Sequence, residues 1–344
     1  MNDFNVAEEA QALLSGQPAK QQEFIAKDIY TAEELFNMKI TEVPFLWQNL
    51  IPQTGLCCLT GSSDCNKSTL LRQLAMAISL GKDSFLGLKL NPKHQKVIYV
   101  STEDDANSIA AYISKQYPGN DIVEARKNIS FLFNTDKYIY RLNEMLAQQK
   151  GDVVIIDTWT DLFTGDINQS NKVRANFDQF MHLSRKHGCA FIFVHHQGKS
   201  SEGNAPSKNN LLGSQGIEAK MRTVIELRRD KDKGNIRLMT ITKGNYTSDK
   251  IKGKPFVLEL DEEKMLFQRQ NEAESLNTNY GFSDLKKKYS KDDILKVAMP
   301  LRAKGLSFEK ILSQLTKQFG KDTPGITTLK TWLKGQSGSQ LPSK

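Results

Sequence analysis

GLCCLTGSSDCNKSTLLRQLAMAISLG, residues 55–81, is the stretch on which the fold turns. GLCCLT (55–60) is an apolar run of strand length, and STLLRQLAMAISLG (68–81) has the spacing of an amphipathic helix. Between them GSSDCNKST (61–69) is a polar loop that places Lys67 and Ser68 at the mouth of the helix. Strand, loop and helix in this order match the GxxxxGK[ST] phosphate-binding pattern at every fixed position but one. In that pattern backbone N–H groups wrap the phosphates, and the helix N-terminus adds the positive end of its dipole. The candidate nucleotide-binding residues are therefore Gly61, Ser62, Ser63, Asp64, Cys65, Asn66, Lys67, Ser68 and Thr69. Lys67 is expected to reach the β/γ-phosphates, and the Ser68 hydroxyl to sit on Mg²⁺. The exception is Asn66, where the pattern has glycine. Asn tolerates positive φ better than other side-chain-bearing residues, so the loop can form, but its amide is expected to crowd the phosphates. A polar turn before an ordinary helix is the alternative reading.

Strands and helices alternate beyond this unit. KVIYVSTE (96–103), NISFLFN (128–134), DVVIID (152–157) and CAFIFVHH (189–196) read as strands. They are separated by the helical patterns DANSIAAYISKQYP (105–118), YRLNEMLAQQK (140–150) and KVRANFDQFMHLSRKHG (172–188). Such alternation predicts βαβ units and a parallel sheet. After a Gly/Ser/Asn-rich loop (197–210), MRTVIELRR, NIRLMTITK, PFVLEL and KMLFQR read as strands joined by short turns, an antiparallel extension at the sheet edge. The expected domains are a helical arm (1–43), an α/β core (44–270), a polar linker (271–290), a small all-α domain (291–335) and a tail (336–344).

The chain of 344 residues carries 47 Lys/Arg and 39 Asp/Glu. Residues 281–344 hold 13 basic and 5 acidic residues, so the remainder is balanced at 34 of each. The whole excess therefore lies in the C-terminal part, an asymmetry that points to an acidic partner such as nucleic acid. No apolar run approaches membrane-spanning length and the N-terminus lacks a secretory apolar segment, which predicts a cytoplasmic protein without a membrane partner. Cys57, Cys58, Cys65 and Cys189 lack zinc-ligand spacing and suit a reducing compartment.

Parallel strands deliver their carboxyl ends to one sheet edge. Asp157 ends VVIID, the position from which a carboxylate holds a Mg²⁺ shell beside Ser68. The next residue, Thr158, is no acid, so the base is sought at Glu103, which ends the strand VIYVSTE. Glu103 would polarise the attacking water, while Asp104 or Asp105 caps the following helix. His195, His196 and Gln197 end a neighbouring strand, and one of them is placed to sense a γ-phosphate.

PFLWQNLIP, GSSDCNKST, VSTEDD, VVIIDTWTDLFTGDINQ, VHHQGK, LLGSQGIEAKMRTVIEL and ITKGNY, in this order, resemble the RecA-like hexameric helicase superfamily, most closely its plasmid RepA-type branch. The resemblance runs from about residue 44 to 269. It implies a RecA-like core, an ATP- and Mg²⁺-dependent ATPase, and a ring of six subunits around single-stranded DNA. It implies Lys67 and Ser68 on nucleotide and metal, Glu103 as base, Asp157 as metal acid, and His196 or Gln197 as sensor. It implies that the loops after Asp157 and His196 face the channel, with Lys199 and Lys208 on nucleic acid, and that Lys243 reaches a neighbouring subunit's γ-phosphate. Asn66 departs from the pattern, as does Asn245, which stands where many relatives carry an arginine finger; both predict slow turnover.

In the tail, KDDILKVAMPLRAK (291–304), GLSFEKILSQLTKQFG (305–320, Ser307 as cap) and ITTLKTWLKG (326–335) read as three helices. They resemble the small helix-turn-helix modules of resolvases and transposon regulators. Thr327, Thr328, Lys330 and Lys334 would face duplex DNA, while Leu329, Trp332 and Leu333 pack inward. A protein-docking role for this module, and a nucleotide-gated regulatory protein without translocation for the whole chain, are the competing readings.

Overall fold

The computed structural model describes residues 29–119, 122–198, 206–211, 215–230, 232–270, 291–320 and 323–336. The chain divides into two compact units, Met1–Asn271 and Glu272–Lys344. The first opens with α1 (Ala32–Asn37), fixed by a capping box between Thr31 and Glu34, and a hairpin of β1 (Phe45–Trp47) and β2 (Ile51–Pro52). Next come β3 (Gly55–Gly61), α2 (Lys67–Ser79), a small hairpin of β4 (Ser84–Phe85) and β5 (Leu88–Lys89), β6 (Val97–Ser101) and α3 (Ala106–Gln116). They are followed by α4 (Val123–Lys127), β7 (Ile129–Leu132), α5 (Tyr138–Gln148), β8 (Val153–Asp157), α6 (Ser170–His187) and β9 (Ala190–His196). The unit closes with α7 (Gln215–Lys220), β10 (Thr223–Arg229), β11 (Ile236–Gly244), β12 (Pro255–Asp261) and β13 (Leu266–Arg269).

Among the described residues nine strands form one sheet in the order β13-β12-β11-β10-β3-β9-β8-β6-β7. From β10 to β7 the neighbours pair in parallel; β11, β12 and β13 are antiparallel additions, as the sequence predicts. Side chains alternate across the central strands with period two. Cys57 and Leu59 join the core under α2, while Leu56 and Cys58 join the core under α5 and α6. Val153 and Ile155 against Val154 and Ile156 repeat the division. The adjacent cysteines therefore face opposite sides of the sheet, both buried, and burial pushes Cys57 up to about 12. The strand boundaries follow the apolar runs; α4, α7 and the two small hairpins are additions that the sequence pattern does not signal.

The second unit contains α8 (Lys291–Ala303), α9 (Phe308–Phe319) and α10 (Ile326–Gln336) around Ile294, Ala298, Ile311, Leu315, Phe319 and Leu329. Ser307 caps α9 by accepting from the Lys310 N–H. Residues 1–28, the whole of the expected linker (271–290), and 337–344 of the expected tail lie outside the described residues.

One hydroxyl joins α6 to the amino end of β3. Ser184 Oγ accepts from the Gly55 N–H at 2.8 Å and donates to the Cys189 carbonyl at 2.7 Å, with Ser184 fully buried. Its loss leaves a buried donor without a partner, which costs about 1–3 kcal/mol. Ser184→Ala is expected to lower unfolding free energy by about 2 kcal/mol in a denaturant titration; an unchanged midpoint contradicts this account.

Candidate nucleotide site

The loop between β3 and α2 departs twice into the left-handed region, at Asp64 (φ 63°) and Asn66 (φ 66°). Alternation of this kind turns successive N–H groups toward a common concavity. Gly61 is required for a different reason: a Cβ there would stand 2.3 Å from the Leu227 carbonyl oxygen and 2.7 Å from Cys65 Sγ. Cys65 itself is buried, which raises its thiol and leaves only its backbone to the cradle. Thr69 is buried as well, its carbonyl bonded by Gln116, whereas Ser63 and Asp64 are exposed and Ser62 and Ser68 partly so. Asn66 precedes the first helical residue without making a side-chain cap, so the first N–H groups of α2 remain available to an anion.

The amide oxygen of Asn66 has a partner that the sequence expectation does not include. This Oδ1 accepts from Arg237 Nη2 on β11 at 2.6 Å. Lys67, 6% exposed, donates to the Ser62 carbonyl at 2.8 Å and the Gly61 carbonyl at 3.2 Å. Its ammonium thus lies on the loop it is expected to serve.

The register brings the strand ends together. Gly61 lies opposite His196, and Ser101 opposite Asp157. Asp157 is buried; its Oδ2 accepts from the Tyr99 hydroxyl at 2.6 Å, and its Oδ1 has no hydrogen-bond partner. Burial raises its pKa, against the lowering effects of Tyr99, Ser68 and the Arg72 charge, and the charge of Glu103 adds to the rise. A buried carboxylate oxygen without a partner, next to a hydroxyl on the loop, is a donor set that fits one hard divalent cation sharing its shell with phosphate and water. No group of three or more His, Cys, Asp or Glu that could hold a metal occurs among the described residues.

Glu103 is exposed, with Oε1 3.3 Å from His196 Nε2. The two acids after it have separate duties: Asp104 pairs with Arg72 of α2 at 3.4 Å, and Asp105 caps α3 by accepting from the Ser108 N–H at 2.8 Å. Gln197 donates its backbone N–H to the Gly61 carbonyl at 3.2 Å, and its side-chain Nε2 is buried without a partner. Its amide therefore offers an unspent donor beside the loop, while His195 is packed edge-on against Trp159, away from solvent.

The remaining sequence candidates lie elsewhere. Lys243 donates to the Glu218 carbonyl at 2.5 Å and pairs with its carboxylate at 3.2 Å; Lys208 meets the same carboxylate at 3.3 Å. Burial pushes Glu218 up, but Lys243 and then Lys208 outweigh it and hold the carboxyl low. Lys199 lies outside the described residues. In the second unit Thr327, Thr328 and Lys330 are exposed, Lys330 over the Phe308 ring at 5.3 Å, while Leu329 is buried; the side chain of Lys334 lies outside the described residues.

Sequence reasoning missed Tyr99, Arg72 and Arg237. Tyr99 carried a signal, a hydroxyl amid the apolar run KVIYV; the two arginines carried none.

Asp157 supports a pH prediction. Its folded value lies above the ordinary 3.8, so the folded state holds the proton more tightly than the unfolded chain. That contribution to stability is fully present below 3.8 and is lost as pH rises through the raised value. At neutral pH the metal-free Asp157→Asn protein is expected to be about 1 kcal/mol more stable than wild type, with this pH dependence removed. Melting curves without metal check it; a less stable variant contradicts it.

The sequence profile of the AAA domain family matches residues 20–202. That span encloses Lys67, Ser68, Glu103, Asp157 and Gln197 and stops short of Arg237 and Lys243. No curated protein matches the sequence. Among solved structures the chain is similar to an ATPase domain, with a TM-score of 0.53 at 12% identity, covering 78% of this chain and all of that one. As many as 513 solved chains match, so the likeness speaks for architecture and not for one activity. The profile spans more than half of the residues: the chain belongs to the AAA domain family, as an ATPase with a RecA-like core.

Proposed function

We propose that this chain is a ring-forming, nucleic-acid-dependent ATPase of RepA-like type, a helicase or replication protein of a mobile element. The observation that carries the reading is the position of Lys243. On β11 it lies opposite Val224, which lies opposite Cys58 of β3, three residues short of Gly61 where the phosphate loop begins. Its ammonium is held by Glu218 of α7. Lys243 is thus held by Glu218 and not by its own loop, which supports reading a neighbouring subunit's phosphates as its target.

Within one subunit, Lys67, the loop N–H groups and Ser68 would hold the triphosphate, and Asp157 would share the divalent cation with Ser68. Such a cation neutralises charge on phosphate oxygens. Glu103 is open to solvent, as a base that orients a water must be, and His196 holds it from β9. Gln197 would report occupancy of the γ-position to the segment that follows β9. Single-stranded DNA in the channel would be moved by the loops after Asp157 and His196, where Lys199 and Lys208 lie. Positive charge along the backbone and tolerance of sequence are the usual terms of such binding. For duplex DNA the support is the basic excess of residues 281–344 together with exposed Thr327, Thr328 and Lys330.

A nucleotide-gated switch without translocation is favoured by one observation. Asn245 is exposed and spends its backbone N–H on the Arg222 carbonyl at 2.9 Å, so it brings no cation where an arginine finger is expected. An arginine finger contributes about 10³–10⁵ in turnover.

Phosphate release with and without single-stranded DNA separates the two readings. Stimulation by DNA is expected, and Glu103→Gln and Lys243→Ala should each reduce release at least about a hundredfold while ATP binding persists. Mixing these two inactive variants should restore part of the activity, because some interfaces then hold Glu103 and Lys243 intact. Mixtures as inactive as their components exclude a shared site; no response to DNA leaves the switch.

A further inference from the structure

Arg237 is 2% exposed, and all three of its guanidinium nitrogens are engaged. Nη1 donates to the Gly234 carbonyl at 2.6 Å and the Ile236 carbonyl at 3.0 Å, which ties it to the β10–β11 turn. Nε donates to the Cys65 carbonyl at 3.2 Å and Nη2 to Asn66 Oδ1 at 2.6 Å, both on the phosphate loop. Arg229 lies opposite Arg237 in the β10–β11 register. A buried cation facing a like charge is costly, so its geometry is tied to what it holds.

Asparagine is among the strongest helix N-caps: its side-chain oxygen readily accepts the free N–H groups of the first turn. Those are the donors that a phosphate needs. At the mouth of α2 an asparagine could therefore block the anion site from within the chain. It does not: Asn66 stands in the left-handed region (φ 66°), outside the extended conformation usual for a cap, makes no side-chain cap, and gives its oxygen to Arg237.

We infer that Arg237 is a positioning residue for nucleotide binding, which holds the Asn66 amide off the helix N-terminus and so makes asparagine compatible with a glycine position in the loop. Arg237 acts through Asn66 and need not touch the nucleotide. The pairing also joins the phosphate loop to the β10–β11 turn, 171 residues away along the chain. Replacing Asn66 by glycine removes both the obstruction and the need for its restraint.

This inference rests on residues 61–69 being the ATP site, and the experiment separates the two. ATP affinity is measured by calorimetry on the full chain for wild type, Asn66→Gly, Arg237→Met and the double variant, with melting curves to verify folding. Arg237→Met is expected to weaken binding about tenfold, the scale of one charge-assisted hydrogen bond. In the Asn66→Gly background the same change should cost less than about twofold, a non-additivity that general loss of packing would not produce. Equal losses in both backgrounds, or no loss in the first, overturn the pairing alone. Wild type that takes up no ATP overturns the site and the pairing together. Should Arg237→Met fail to fold, Asn66→Asp decides. A carboxylate turned to Arg237 is neutralised and should weaken binding only about threefold. A folded Asn66→Asp protein without measurable affinity places that side chain against the phosphates and overturns the proposal.

Discussion

Parallel hydrogen-bond register across β3, β9, β8 and β6 is the constraint on which the site depends. It sets Gly61 beside His196 and Asp157 beside Ser101, and so carries the loop, the sensor segment, the buried acid and Glu103 to one edge. Both faces of these strands are apolar and covered. A slip of one residue would exchange the two side-chain sets between the cores and turn Asp157 to the opposite face of the sheet. The register is thus enforced over the whole length of each strand, by many small packing terms, and the chemistry at its end inherits that precision.

The second organising feature is charge kept from water. Lys67, Arg72, Asp157 and Arg237 are all buried close to the loop. Each has partners, but the partners differ in kind. Arg237 has all three guanidinium nitrogens on protein acceptors, as suits a residue that holds structure. Lys67 rests on loop carbonyls, and Asp157 keeps one oxygen without a partner, as suits groups that exchange their contacts for a ligand. Buried polar atoms without partners are costly in a finished fold, and Asp157 Oδ1 and Gln197 Nε2 are two such atoms beside the loop.

Much of this is legible in the chain itself. The GSSDCNKST loop, the apolar strands ending in Asp157 and His196, and the antiparallel additions after residue 221 are local patterns, and local patterns survive in a single sequence. The partner of Asn66 is not legible from sequence because it lies 171 residues away. Tyr99 meets Asp157 across 58 residues and Arg72 meets Asp104 across 32, separations at which residue type alone carries no pairing information. Lys208 reads as a free cation in a polar loop, yet the fold sets Glu218 beside it.

By itself, then, the sequence determined the class of the fold and the identity of the loop, because strand and helix periods and the order of turn residues are properties of short segments. It also determined the charge asymmetry of the C-terminal part. Tertiary structure alone decided which way Asn66 turns, which oxygen of Asp157 stays unbonded, and where Lys243 is held. The physical reason is that a hydrogen bond or ion pair forms between atoms within about 3–4 Å, and only the folded sheet brings residues so distant in sequence to that separation.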